Sequence, residues 1–320
     1  MSFDFSLVGA PFRMQPGLRR VAPGAVQLTP NAPGSRHLRE KIAVLGSFAP
    51  QALLSISSVD EAAVLGAVAA ESAISCPGAF TVATTANGAT RIEASRLGWA
   101  LDDGAPSGEG DAAIGRVLAG LPLAVRPSAL LSLAFAEDFA LLDGRTATLP
   151  WLAVCLPSRW APEEKIGRHF AEVHAPVADS ELLVAASASL TRLVTGPERW
   201  ERFVWTVSAE PRLHQHPARG AVDWPDLDAA DAEALADAAS FRSERQTFVP
   251  IAGREQAIFT IRVDSVPLAD AVKSADAARR LHDAIASMSP AVLAYRRLDG
   301  ARDRLLAWLG ARAASYDVTP

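Results

Sequence analysis

Two apolar runs, at residues 133–142 and 146–156, flank the pair Asp143-Gly144, and no other feature limits the possible folds of this chain so strongly. Asp-Gly suits the tight turn of a hairpin, so the two runs are expected to pair as antiparallel strands. Pro150 lacks the amide proton that a central ladder needs, which makes the second strand an edge or bends it there. Further strands are expected at 202–207, 245–249 and 257–263, the last rich in β-branched and aromatic side chains. Between the two groups of strands, Pro162 fits a first helical turn, and Glu163 and Glu164 favour the positive end of the helix dipole. A helix is therefore expected to run to His174, where Pro176 stops it, and a second to cover 180–194. Helices return from Leu268 to the end.

Before this region, Ser35 introduces a helical pattern ending near Gly46, after a Pro- and Gly-rich arm. Ser58 and Glu61 have the spacing of a capping box for an Ala-rich helix running to about residue 73. The stretch DDGAPSGEGD at 102–111 reads as a loop, 112–118 as a short helix, and the breaks at Gly120, Pro122 and Pro127 as connection. A hairpin, helices, three strands and more helices make an α+β chain. That order fits a PAS-like core, an antiparallel sheet whose covering helices enclose a ligand, with N- and C-terminal helical extensions. The expected division is 1–131 as a wrapping and helical segment, 132–267 as the core and 268–320 as terminal helices.

With 49% apolar residues the chain can bury a sizeable core, yet its longest apolar stretches are too short or too polar to span a bilayer. A net charge of −5 gives no basic excess for nucleic acid. Two cysteines, Cys76 and Cys155, cannot make a disulfide framework, and Asp4 and Arg13 interrupt any leader-like start, so a reducing, cytoplasmic setting is expected. There is no G-x-G-x-x-G opening a βαβ unit, no Walker pattern and no G-x-S-x-G.

Four motifs occur in order: APFRM at 10–14, Glu137-Asp138 before an apolar run, PSRWAPEEKIGRHFAEVHAPV at 157–177, and RSERQTF at 242–248 followed by the strand AIFTIR at 257–262. In these motifs the chain resembles the heme subunit of the heme-dependent oxidative N-demethylases, over most of its length. The resemblance implies a PAS-like fold binding heme b, and an oxygen-dependent monooxygenase that N-demethylates a small secondary amine such as dimethylamine. It also implies reductase subunits, with NADPH, FMN and an iron–sulfur centre on those partners; this chain's two cysteines and missing dinucleotide fingerprint agree with that division. Val204 and Asp264 depart from the family pattern, which has an asparagine and an aromatic residue there. A non-catalytic heme or small-ligand sensor, or a scaffold without heme, are the alternative readings.

Within this resemblance His174 becomes the iron ligand, because a neutral imidazole at a helix end can be held rigidly under a porphyrin. Ile166, Phe170 and Val173 would form the apolar stripe beside it, with His169 the second choice. A histidine whose charged form simply favours a helix C-terminus is the bland alternative. Arg242 and Arg245 are candidates for the heme propionates, since guanidinium forks suit carboxylates. Strand alternation nevertheless puts Arg242, Glu244 and Gln246 on one face and Arg245 on the other. Gln246, Arg262 and Lys165 are the polar candidates for catalysis, each equally readable as a structural residue. His214 and His216 could offer two imidazoles to a metal, although Pro211 and Pro217 make their segment a loop. Cys76-Pro77 has the form of a thiolate heme-binding dipeptide, and Cys155 reads as inert core.

Overall fold

A computed structural model describes residues 3–85, 88–225 and 231–317. The chain opens with β1 (Arg19–Arg20), α1 (Arg36–Ala52), β2 (Leu53–Ser55) and α2 (Glu61–Ser75), then a meander of β3 (Thr81–Thr84), β4 (Thr90–Ala94), β5 (Trp99–Asp102) and β6 (Ala105–Gly108). Next come α3 (Ala112–Gly120), α4 (Arg126–Ala134), β7 (Asp138–Asp143) and β8 (Thr148–Ala153). Three short helices follow, α5 (Phe170–His174), α6 (Glu181–Ala185) and α7 (Ser187–Val194), then β9 (Trp200–Ser208) and α8 (Ala232–Asp237). The chain closes with β10 (Ser240–Pro250), β11 (Gln256–Pro267), α9 (Leu268–Ala271), α10 (Ala275–Ala286), α11 (Pro290–Arg296) and α12 (Arg302–Asp317).

The result is an α+β fold with two antiparallel sheets. The larger has the order β1-β9-β10-β11-β7-β8-β2, and the smaller is β3-β4-β5-β6. The expected hairpin and the three later strands are present, all three of the latter longer than expected. Six features of the sequence reading need correction. The first strand starts at Asp138, because 126–134 is α4, with Pro127 in its first turn. That helix is buried from Ser128 to Ala134, and an all-round buried helix shows the same unbroken apolar run as a strand. Pro150 bends its strand but does not mark an edge. It sits where β8 carries one residue more than β7, between Leu141↔Trp151 and Asp143↔Thr148, and β2 pairs on the far side.

The helix expected from Pro162 to His174 is broken. A single 3-10 turn, Pro162–Glu164, leads to Gly167 in the left-handed region (φ 69°), and only Phe170–His174 is α-helical. The backbone of this segment bonds to the sheet instead: Gly167 N donates to Leu149 O at 2.8 Å and Phe170 N to Ala147 O at 2.7 Å. Sheet ladder bonds have replaced helical ones, which periodicity alone does not reveal. The stretch 102–111, read as a loop, holds β6 and the tight turn from β5. At the N-terminal side, α1 passes Gly46 and ends at Ala52 after a kink at Phe48, and Asp60, not Ser58, caps α2 by accepting from Ala63 N at 3.1 Å.

Register fixes the two faces of the large sheet. Leu152, Ala140, Phe259 and Phe248 are successive cross-strand partners, and side chains opposite one another share a face. Trp160, Ile166, Phe170 and Val194, from the segment between β8 and β9, pack on this face. The other face carries Phe139, Leu141 and Ile258 against α1, α2 and α4, and Trp205, Val207 and Phe241 against α8 to α12. Phe3, Phe5 and Phe12 of the N-terminal arm close the latter cluster, and Arg296 lies 4.4 Å over the Phe12 ring. The PFRM motif is thus a packing element. Among the described residues no helix is long and apolar enough to cross a membrane.

Candidate functional site

The face covered by the 157–196 segment is where chemistry-bearing side chains gather. His174 ends α5, half-buried, with its ring centroid 4.1 Å from that of Phe170. Its Nδ1 lies 2.8 Å from Phe170 O. A carbonyl only accepts, so Nδ1 carries the proton and Nε2 the lone pair. Burial lowers the His174 pKa to about 4, Arg202 and Lys165 push the same way, and the Phe170 carbonyl opposes them. The imidazole is therefore neutral at physiological pH, with its tautomer fixed by a backbone carbonyl, the state in which histidine ligates a metal.

Around it stand Lys165, whose Nζ donates to Val173 O at 3.2 Å, and Arg202, directly opposite Gln246 in the β9–β10 register. Gln246 Nε2 donates to Glu244 Oε2 at 2.6 Å, and Ser158 Oγ donates to Glu244 Oε1. Arg202 Nε is buried without a hydrogen-bond partner. Burial pulls the Arg202 pKa down and Glu244 restores part of it. Sequence reasoning missed Arg202, Ser158 and Glu244. The clue lay in strand alternation, which had placed Glu244 beside Gln246, but Arg202 becomes visible only with the β9–β10 register in hand.

The other expected residues are distributed differently. Arg242 shares the face but is consumed by protein: Nε donates to Ser158 Oγ at 2.9 Å, and the two terminal nitrogens to Arg212 O at 3.0 Å and Leu213 O at 2.8 Å. Only 2% exposed, it ties the 157–159 and 210–216 segments to the sheet. Arg245 and Arg262 are register partners on the opposite face. Arg245 pairs with Glu201 at 2.9 Å, and Arg262 contacts Asp264 at 3.1 Å and Thr29 Oγ1 at 2.8 Å. His169 caps α5, accepting from Ala171 N at 3.2 Å. The structure thus brings His174, Lys165 and Gln246 to one side and leaves Arg245 and Arg262 on the other.

His214 and His216 stack with ring centroids 6.1 Å apart, and His216 Nε2 lies 3.0 Å from both Glu163 oxygens. Among the described residues no group of three or more His, Cys, Asp or Glu side chains is arranged to hold a metal ion. Glu137 and Asp138 are buried, Glu137 accepting from Thr29 N at 2.9 Å and Asp138 meeting Lys41 at 3.1 Å, so they brace the fold. Burial pushes the Cys155 thiol up to about 12 and also raises that of Cys76, so both stay protonated. A cleft of about 380 Å³ lined by Arg145 and Gly253 to Gln256 shares no residue with the His174 surroundings.

Comparison with known proteins defines the class. The family described as haem-dependent oxidative N-demethylase, alpha subunit-like, matches residues 119–306. The match spans more than half of the chain, which therefore belongs to this family. No curated protein matches it. The family's heme suits the residues present: an aromatic-lined face, a neutral imidazole with its Nε2 lone pair available, and an arginine whose buried Nε has no hydrogen-bond partner.

Proposed function

We propose that the chain is the heme-binding subunit of an oxygen-dependent monooxygenase that N-demethylates a small secondary amine, with electrons from partner reductase subunits. The observation that carries this reading within the family is His174, neutral and tautomer-fixed on the covered face of the sheet. A PAS-like core is part of it, supported by the run β9-β10-β11-β7-β8, in which the hairpin lies beside the last strand and the third strand lies outermost. On this reading the group is heme b, and His174 would hold its iron through Nε2. When bound, heme supplies oxygen binding and one-electron chemistry. For dimethylamine the balance is (CH3)2NH + O2 + 2e− + 2H+ → CH3NH2 + HCHO + H2O. The two electrons come from NADPH through FMN and an iron–sulfur centre on the partners, in a cytoplasmic complex.

The chain's own residues bind, orient and shield. Trp160, Ile166 and Phe170 cover the face and exclude water. Gln246 gives its Nε2 to Glu244, which leaves its Oε1 to accept an amine N–H. Lys165 and Arg202 set a positive local field that disfavours an ammonium and favours the free amine, the form that still has its lone pair. On this account Arg242, Arg245 and Arg262 hold the fold, Arg242 and Arg245 by hydrogen bonds to protein groups and Arg262 by its bond to Thr29 and its ion pair with Asp264. The purified chain with added hemin should show a Soret band and, with an electron donor, release one formaldehyde per O2 consumed when given dimethylamine. No Soret band would sink the heme reading, and bound heme without amine-dependent formaldehyde would make the chain a sensor.

A further inference from the structure

A guanidinium does not give up its proton, so a buried arginine needs an anion or a full set of acceptors. Arg202 has the Glu244 carboxylate in its neighbourhood, yet its Nε is buried with no hydrogen-bond partner on the same side of the sheet as Gln246. Glu244 accepts from Ser158 at one oxygen and from Gln246 at the other, and neither oxygen bonds Arg202 Nε. The two arginines of the RSERQTF motif are committed elsewhere, Arg242 to three oxygens of the 157–213 loops and Arg245 to Glu201 across the sheet. Lys165 stands on the same side, with one Nζ contact to Val173 O. We propose that Arg202 is the carboxylate anchor on this face of the sheet, pairing with a propionate of the heme that His174 would hold, with Lys165 as a second cation on the same side. This rests on the heme reading of the preceding subsection. The Arg202 guanidinium then gains its acceptor only when the ligand arrives, so part of heme affinity resides in the charge on the propionates.

Titration of the full chain with hemin and with hemin dimethyl ester, which lacks the propionate charges, separates this proposal from the heme reading. Wild-type protein should bind hemin about 30-fold more tightly than the ester, the size of a desolvated charge pair. Arg202→Gln should cut that preference to a few-fold, mainly by weakening hemin, and Arg202→Lys should restore part of it. The ligand-free Arg202→Gln protein should melt no lower than wild type, since the buried Nε that it loses makes no hydrogen bond. Equal wild-type affinity for the two porphyrins, or a marked drop in the ligand-free melting temperature, would overturn the role of Arg202 and leave heme binding standing. If wild type binds neither porphyrin, the heme reading itself fails.

Discussion

Glu137 shows what burial does to one carboxyl. It is 2% exposed, burial raises its pKa, and its hydrogen bonds to Thr29 restore only part of the loss. A carboxyl with a raised folded-state pKa costs stability wherever it is ionised, so the penalty is absent below the unfolded value of 4.5 and grows as pH rises above it. Glu137→Gln, whose Oε1 can still accept from Thr29 N, should therefore stabilise the protein at pH 7 and have no such effect at pH 4 in urea titrations. An equal effect at both pH values would mean that ionisation of Glu137 carries no penalty. The residues around the site were only partly legible in the sequence. His174, Lys165 and Gln246 could be named, and alternation separated Arg242 from Arg245 correctly. The acceptors that consume Arg242 come from residues 158, 212 and 213, a contact set no local pattern encodes.

At the scale of elements, Arg242 works as a clamp between two loops and a strand. Arg242→Met would strand the Arg212 and Leu213 carbonyls and cost about 3 kcal/mol of stability in the ligand-free protein. Limited proteolysis should then cut within 210–216, whereas an arginine serving only a heme ligand would leave the ligand-free protein unchanged. Gly144 makes a second case. Its φ is not in the left-handed region, so the Asp-Gly hairpin is not built as the expected tight turn; Asp143 Oδ1 instead accepts from Arg145 N and Thr146 N, both at 3.0 Å. A Cβ on Gly144 would stand 2.4 Å from Thr195 Oγ1 and 2.8 Å from Glu255 O. Gly144→Ala should lower stability by about 2 kcal/mol through that clash, measured by chemical denaturation. A neutral result would show that the β11 turn can yield there. The hairpin was legible because its strands are long and apolar; its turn was not, because a close approach from residues 51 and 111 positions away dictates it.

For the whole molecule, the hairpin and three later strands read from the sequence form the central run of the large sheet, and the helices of 162–194 cover one of its faces. The small sheet escaped notice because its strands are only four or five residues long, too short for a clear alternation, and the last of them carries Pro106 and Gly108. The helix ending at His174 was read too long, since the bonds that break it come from β8. Its last turn is nevertheless where the central claim stands or falls. The deciding measurement is the visible absorption spectrum of the hemin-loaded protein, compared between wild type, His174→Ala and His169→Ala. The account predicts that His174→Ala abolishes or shifts the Soret band, while His169→Ala, which removes only a helix cap, leaves it in place. An unchanged spectrum in His174→Ala would contradict it.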